Sequence, residues 1–357
     1  MTRAPRRLGR TAAGIAALTT AAALLAGCGA PETSSASAKE LPTSSEDLVA
    51  QAKEEGEVVL GAGGHTREQA QLLADEFEKK YGITVTFVRE SGGDISQKVA
   101  AQLSAGALQF DVISLNDEAT LRTWAEDSVL AEPSIENRDD VLATLDASGD
   151  APYLPFTWAA MGYSYNSAKI DPDAAPATWD ELAQQPGVFA VADPNSSGAA
   201  LTFVAAMNEI NEGLLPALGQ SEPLLSDSAL ALTQLVATGE ADYGIPGIEA
   251  DVATARSAGE PLAMGYPDGQ IGILSSFITS LEGSPHPAAA RLLVQFQLSD
   301  EFQATQAGIG SRSVLAGAPV PDGAADIAED RLVVIDSADL STQKDALLEL
   351  FDKSFGG

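Results

Sequence analysis

Short apolar segments alternate with helical patterns through most of this chain, and this alternation limits the folds open to it. Runs of β-branched and aliphatic residues have the length of strands, and the stretches between them repeat apolar residues at helical spacing. The capping-box sequence Thr66–Gln69 marks one helix start, and Gly82 marks its end. Such alternation predicts parallel βαβ units and an α/β fold. The first block has predicted strands at Val58–Leu60, Ile83–Val88 and Asp111–Leu115, with a second helix at Asp94–Leu103.

The same pattern returns in the middle of the chain. There, Ser226 is predicted to begin a helix that Gly239 ends, and later helices are predicted after Pro287 and over Thr342–Phe351. About 320 residues follow an N-terminal signal, which is enough for two lobes or domains. Strands are predicted at Val188–Val191, Asp242–Ile245 and Leu262–Tyr266, and two long extended segments at Trp158–Tyr165 and Ile271–Leu281.

The only cysteine, Cys28, ends the run Leu24–Cys28. Before it lie four arginines and the uncharged stretch Thr11–Ala26, which is too short for a bilayer-spanning helix. This order of basic, apolar and small residues is typical of a secretory signal. The run resembles a bacterial lipobox, in which the cysteine is acylated and begins the mature chain; the alternative is an ordinary signal with a chance cysteine. We expect residues 1–28 to be a lipoprotein signal peptide with Cys28 lipidated, and residues 29–45 a flexible tether.

The charge balance excludes several classes of partner. Acidic residues outnumber basic ones by 51 to 20, which gives a net charge of −31. Nucleic acid and anionic lipid surfaces both require a basic face, so we expect neither as a partner. An anionic ligand has to be held by local hydrogen-bond donors, because the negative electrostatic field of the whole protein repels it. With Cys28 lipidated, no thiol remains for a disulfide, a nucleophile or a metal site.

Sequence motifs for catalysis are few. The chain contains only two histidines, His65 and His286, which excludes HExxH and multi-histidine metal sites. Neither a Gly-x-Ser-x-Gly motif nor a Walker A sequence occurs. We therefore expect no enzyme and no cofactor, and the alternative is a secreted, carboxylate-dependent enzyme on the same architecture.

Three predicted strand-to-helix turns are rich in glycine and serine: Gly63–Thr66, Ser91–Gly93 and Ser196–Gly198. In a parallel α/β sheet such turns lie at the carboxyl ends of strands, where ligands bind. Free N–H groups and the helix dipole there favour an anion or a polarised oxygen. Because serine and glycine also serve as plain helix caps, it is the three turns together that predict a ligand site.

A series of short motifs follows in order along the mature chain: Gly63–His65, Asp111–Val112, Asn116, Tyr165–Asn166, Pro176–Trp179, Ser197–Ala199, Gly239–Glu240, Ser284–Pro287 and Leu298–Glu301. Their order and spacing resemble bacterial extracellular solute-binding proteins of ABC importers, of the ferric-ion and phosphonate type. The resemblance implies a periplasmic-binding-protein type II fold, in which two α/β lobes joined by two crossing strands close on a ligand. It implies lobe 1 at residues 46–156 and 278–357, and lobe 2 with the hinge strands at 157–277.

The ligand-binding residues of such relatives match this chain unevenly. Ferric-binding relatives use a histidine where His65 stands and an acidic residue near Asn116. They anchor phosphate or another synergistic anion at a helix start that Ser197, Gly198 and Ala199 match. They use two adjacent tyrosines where this chain has Glu249–Ala250, so the phenolates that hold Fe³⁺ tightly are replaced. A recurrent arginine corresponds to Arg312, which we expect to be structural or to lie between the lobes.

These matches predict a small ligand with a phosphoryl or phosphonate group at one end. Its other end, positive or hydroxylated, would meet Glu249 or Asp251, although the two carboxylates also fit a solvated helix face. Ferric iron is the alternative, with His65 joining both carboxylates as a fallback metal site. We expect a monomer outside the cytoplasmic membrane, held by its lipid anchor alone, that passes a small molecule to an ABC permease. The expected site is completed by Gly64, Gly93 and Trp158.

Overall fold

A computed structural model describes residues 45–132, 141, 145 and 151–356. The predicted signal peptide, Cys28 and nearly all of the predicted tether lie outside the described residues. Within the described ranges, no helix combines the length and the apolar character that a membrane crossing needs.

The first block folds as its alternation predicts. Thr66 accepts a hydrogen bond from the N–H of Gln69, whose side chain accepts from the N–H of Thr66 in return, so the predicted capping box is present. Gly82 ends that helix with a φ of 71°, the left-handed region that glycine enters freely. The elements are α1 (Ser45–Glu55), β1 (Glu57–Ala62), α2 (Arg67–Tyr81), β2 (Thr84–Arg89), α3 (Gly92–Ala105), β3 (Val112–Leu115) and α4 (Glu118–Glu126).

The middle block also alternates strands with helices, with one local difference. Ser226, predicted to begin a helix, ends a strand instead, and the helix begins after Ser228, whose Oγ accepts from the N–H of Ala231. Leu224 and Leu225 pair with the preceding strand, and this pairing draws Ser226 into the sheet. The elements are β4 (Leu154–Asn166), α5 (Trp179–Ala183), β5 (Phe189–Ala192), α6 (Gly198–Ile210), α7 (Leu214–Gly219), β6 (Leu224–Ser226), α8 (Ala229–Ala237), β7 (Tyr243–Ile248), α9 (Glu249–Ser257) and β8 (Leu262–Gly265).

The last part of the chain returns to the sheet and ends in a long helix. Pro287 occupies the first turn of its helix, as predicted. Proline has no backbone N–H, and in the first turn of a helix an N–H would have no partner within the helix. The elements are β9 (Ile271–Ser280), α10 (Pro287–Gln297), α11 (Asp300–Gln303), β10 (Leu332–Val333) and α12 (Ser337–Phe355).

The two long extended segments are β4 and β9, which pair with each other in the middle of the sheet. The strand order is β2-β1-β3-β9-β4-β7-β5-β6, with β10 beside β9 and β8 beside β4. Strands β2, β1 and β3 are parallel, as are β7, β5 and β6. Strands β9 and β4 run antiparallel to each other, β9 also to β3, and β4 also to β7 and β8, whereas the short β10 is parallel to β9. Two parallel groups are therefore joined through a central antiparallel pair.

Separate hydrophobic cores lie under the two groups. Phe77, Phe156 and Leu293 belong to one core, and Trp179 and Phe203 to another. Strand β4 passes between them: Phe156 and Ala160 belong to the first core, whereas Ala159 packs against the second and Met161 belongs to it. Burial of this apolar surface is the main stabilising contribution for a chain in which one cysteine cannot form an internal disulfide.

Helix α12 packs on a different core from the one that the predicted lobe boundaries imply. Those boundaries assign all of 278–357 to lobe 1, but Leu347 and Phe351 belong to the second core, beside α6 and α7. Near its start, Asp336 and Ser337 bond to Arg122 of α4. Helix α12 thus contacts elements of both groups. The remaining lobe boundaries stay predictions.

Candidate functional site

Two cavities lie where the polar turns of the two groups meet the central strand pair. The first, about 140 Å³, is lined by the Gly63–Thr66 turn, the start of α9 and part of β4. The second, about 660 Å³, is lined by the starts of α3, α4 and α6, by β9 and by α12. Asn116, Ala199 and Leu274 line both. We call the two cavities together the cleft.

In the Gly63–Gly64 turn, the glycines allow a close approach to β3. A Cβ on Gly63 would lie 2.8 Å from the carbonyl oxygen of Ser114 and 2.9 Å from the Cα of Gly92. The N–H of Gly64 donates to the carbonyl oxygen of Ser114 at 2.8 Å and to its Oγ at 3.1 Å. Gly64, a predicted ligand residue, therefore lines the first cavity with its donor already used.

His65 is buried beside this turn, and both ring nitrogens have partners. Nδ1 lies 2.7 Å from Ser114 Oγ, Nε2 lies 3.3 Å from Gln297 Oε1, and the ring stacks on Phe156. Burial, with a smaller contribution from the charge of Arg89, lowers the pKa of His65 to about 3. The ring is neutral at pH 7. It shapes the cavity wall without a free nitrogen to offer a ligand.

Glu249 and Arg312 form a buried ion pair between α9 and the segment after α11. Arg312 Nε donates to Glu249 Oε2 at 2.6 Å and Nη2 to Oε1 at 2.9 Å, and each side chain is 5% exposed. The Tyr266 hydroxyl also donates to Oε1, and burial together with the Glu249 carboxylate raises the pKa of Tyr266. The predicted ligand carboxylate is thus bound by protein groups. Arg312, which was expected to be structural or to lie between the lobes, is its partner.

Trp158 lies on β4, the predicted first crossing strand, beside this ion pair. Its Nε1 donates to the carbonyl of Ser313 at 2.9 Å, and the Arg312 guanidinium stacks over its ring, with Cζ 4.6 Å from the centroid. The ring also lines the first cavity. Much of its contact surface is therefore already covered by protein.

Asp251 and Arg89 contribute opposite charges to the first cavity. Asp251 lies in the first turn of α9, and Arg89 ends β2. Burial raises the pKa of Asp251 to about 6, and the positive charge of Arg89 opposes that rise. Burial also lowers the pKa of the Arg89 guanidinium, and the Asp251 carboxylate opposes that shift. Sequence reasoning missed Arg89, although its position at the carboxyl end of a parallel strand was a usable signal.

Four predicted ligand residues line the second cavity: Gly93, Asn116, Gly198 and Ala199. Ser197 Oγ accepts from the N–H of Ala200 at 3.3 Å and so caps α6. Ser91 Oγ accepts from the backbone N–H of Asp94 at 3.1 Å and so caps α3. First-turn N–H groups have no acceptor within their own helix. A Cβ on Gly198 would meet no atom within 4 Å, which shows open space at this helix start.

Asn116 follows β3 and links it to β9. Its Nδ2 donates to the carbonyl of Ser275 at 3.2 Å and to Ser276 Oγ at 2.7 Å. Sequence reasoning missed both serines, although two adjacent hydroxyls in an apolar strand were a visible signal. It predicted the last helix but not that this helix, α12, lines the second cavity, as Lys344 does.

The fallback metal site does not form. Among the described residues, no group of three or more histidine, cysteine, aspartate or glutamate side chains could hold a metal ion. His65 and Glu249 are already engaged by Gln297 and Arg312, as described above, so the predicted set with Asp251 does not converge.

Residues 73–332 match the sequence pattern of a family described as bacterial extracellular solute-binding protein. A curated relative is the probable amino-acid ABC transporter periplasmic-binding protein y4oP of Sinorhizobium fredii. It is 26% identical over 170 residues, which are 40% of this chain and 38% of that protein. The match thus spans less than half of the relative's length.

Solved structures share the fold over most of the chain. Iron-bound HitA from Pseudomonas aeruginosa is 22% identical with a TM-score of 0.67, over 84% of this chain and 99% of that one. AfuA from Actinobacillus pleuropneumoniae, with fructose-6-phosphate bound, is 22% identical with a TM-score of 0.66 over the same shares. An ABC transporter substrate-binding protein from Agrobacterium tumefaciens is 15% identical with a TM-score of 0.69, over 83% and 94%. The predicted two-lobed type II periplasmic-binding fold is confirmed.

Proposed function

Because this chain belongs to the bacterial extracellular solute-binding proteins, we propose that it binds a small ligand with a phosphoryl or phosphonate group and delivers it to an ABC permease. The observation that carries the choice of ligand is the meeting of two helix starts, those of α3 and α6, at one cavity. One helix comes from each α/β group. Proteins of this fold include an iron-bound and a sugar-phosphate-bound example, so the choice rests on the donors of this cleft.

The helix starts supply the local donors that a strongly acidic protein needs for an anion. Each helix places free N–H groups and about half a positive charge at its N-terminus. Gly93 and Gly198 carry no side chain that would stand between these groups and the cavity. A tetrahedral anion with several acceptor oxygens could bond to both helices at once.

Such a ligand would hold the two groups together. Helix α3 belongs to the first parallel group and α6 to the second, and β4 and β9 join the groups. A ligand that contacts both helices only in a closed arrangement stabilises that arrangement. In this proposal the closed form is the one that the permease recognises, and the ligand leaves chemically unchanged.

The predicted lipid anchor would hold the protein at the outer face of the cytoplasmic membrane. Acylated Cys28 and the tether after it would hold the binding lobes near a permease and raise their effective concentration there. Cys28→Ala is expected to move the protein from the membrane fraction to the medium. Continued membrane retention would contradict the lipidation prediction and leave ligand binding to be judged separately.

A titration of candidate ligands tests the proposed function. Isothermal titration would compare inorganic phosphate, methylphosphonate, 2-aminoethylphosphonate, glucose 6-phosphate and ferric citrate. Ser197→Asp keeps a good helix cap but adds a negative charge at the start of α6. We expect it to weaken phosphonate binding by about 10- to 100-fold, since like charges repel strongly in a partly buried site.

Thr178→Asp is the matched control, because Thr178 caps the short helix α5 in the same way, and no residue of α5 lines either cavity, whereas the first turn of α6 does. It should leave the affinity within twofold. Equal effects of both substitutions would contradict an anion at α6. Binding of ferric citrate alone would favour the iron alternative.

A further inference from the structure

The second cavity is larger than an anionic group alone requires. Its volume of about 660 Å³ compares with about 140 Å³ for the first cavity. Cavities that enclose small organic ligands span ~300–1,000 Å³. A bare phosphate or a metal ion at the starts of α3 and α6 would leave most of this space for other ligand atoms.

Apolar side chains form much of the cavity wall. Ile273 and Phe277 of β9 are almost fully buried, and Leu201 of α6 stands near the helix start. Ile335 and Leu340, before and within α12, are half-buried. Apolar ligand surface gains free energy when it leaves water for such a wall. The wall therefore favours a ligand with a hydrocarbon body.

One polar group in the same wall lacks a partner. Ser275 of β9 is 8% exposed, and its buried Oγ makes no hydrogen bond within the described part of the chain. The backbone carbonyl of Ser275 is bonded to Asn116, so only the hydroxyl is left over. Buried hydroxyls without a partner are rare, and each needs a physical explanation. Here a polar atom of a ligand would supply the missing partner.

Three charged side chains line the cavity, those of Asp117, Glu118 and Lys344. Asp117 caps α4 through the N–H of Thr120, and Glu118 accepts from Tyr153 and pairs with Arg122, so both carboxylates are engaged. Lys344 of α12 makes no ion pair with any residue that the structure describes. A cation and two helix starts thus face the same space.

We propose, on the basis of the function proposed above, that the ligand is an organic anion with an apolar body. Its charged group lies at the starts of α3 and α6, and its body lies against β9 and α12. Helix α12 is then the element that sets specificity for the ligand's body. The last helix of the chain therefore belongs to the binding site as well as to the core.

A chain-length series tests this directly. The affinity of the intact protein would be measured by isothermal titration for inorganic phosphate and for methyl-, propyl- and hexylphosphonate, with hexanoate as the carboxylate analogue. Each buried methylene should tighten binding about fourfold until the cavity is filled. Equal affinities for methyl- and hexylphosphonate would overturn the apolar-body proposal while the phosphonate function stands.

Other outcomes separate the two proposals further. Binding of hexanoate without any phosphonate would support an organic anion but contradict the phosphoryl group. No binding by any member of the series would overturn both.

A substitution in α12 locates the ligand's body. Ser341 lines the second cavity from the exposed side of α12, so Ser341→Trp should occupy part of the space and still fold. It is expected to weaken hexylphosphonate binding at least tenfold and to flatten the chain-length series. Gln343→Trp, two residues on and outside both cavity walls, is the control and should keep the wild-type series. An unchanged series in Ser341→Trp with a wild-type melting temperature would overturn the role of α12.

Discussion

The first and second cavities are built from similar polar residues, yet those residues are used differently. Around the first cavity, the donors and acceptors of Gly64, His65, Glu249 and Trp158 bond to other parts of the protein. Around the second, the helix starts at Gly93 and Gly198 border open space. The hydroxyl of Ser275, which also belongs to this wall, has no hydrogen-bond partner among the described residues. Bonding capacity that the fold leaves unused, rather than polarity itself, marks where a ligand would bind.

The largest expected effect comes from breaking the Glu249–Arg312 pair. Arg312→Met leaves a buried carboxylate without its cation, and we expect a loss of about 3–5 kcal/mol in the free energy of unfolding. The double variant Arg312→Met, Glu249→Gln should recover much of it, because no unpaired charge remains. Urea denaturation gives both values. A stable Arg312→Met variant with weakened ligand binding would mean that Glu249 serves the ligand instead.

Matched glycine substitutions test whether the backbone is closely packed at the first cavity and open at the second. Gly63→Ala should cost about 1–3 kcal/mol, because its Cβ would meet backbone atoms at 2.8–2.9 Å. Gly198→Ala should change stability by less than about 1 kcal/mol, since nothing lies within 4 Å of the added carbon. Thermal and urea unfolding of both variants provide the comparison. Equal destabilisation would contradict the open space at α6.

Two titrating groups of the first cavity should give pH slopes of opposite sign. His65 has its pKa lowered from 6.5 to about 3, so between these values the unfolded chain binds a proton that the folded chain does not. Its contribution makes stability fall on acidification, by at most about 1.4 kcal/mol per pH unit. Asp251 has its pKa raised from 3.8 to about 6, so its contribution makes stability fall as the pH rises through that window.

Variants separate the two contributions. Urea unfolding between pH 4 and pH 7 should show a shallower acid loss for His65→Gln and a steeper one for Asp251→Asn. Identical slopes of stability against pH in both variants and the wild type would show that these groups titrate at their ordinary pKa values. The first cavity would then be more accessible to solvent than its structure indicates.

Local features of the sequence predicted the fold well. The capping box at Thr66, the helix end at Gly82 and the extended character of β4 and β9 depend on neighbouring residues, and all are present. What decides the site depends on distant partners. His65 bonds to Gln297, 232 residues away, and Glu249 bonds to Arg312, 63 residues away. No local pattern shows whether such a partner exists.

The same limit explains why the sequence did not show where α12 packs. Its apolar residues predicted a helix, but which core they enter depends on packing against α6 and α7. Residues of all three polar turns do line the cleft, since strand ends meet at one edge of a parallel sheet. Which cavity keeps free donors became visible only with the tertiary contacts.

The most direct test of an anion bound at two helix starts is to observe the backbone amides themselves. In ¹⁵N–¹H spectra of the full protein titrated with hexylphosphonate, the N–H signals of Gly93, Gly198 and Ala199 should shift in a saturable manner. The signal of Gly64, whose N–H already bonds to Ser114, should move little. Large shifts at Gly64 with none at Gly93 and Gly198 would contradict the account, because they would place the ligand in the first cavity.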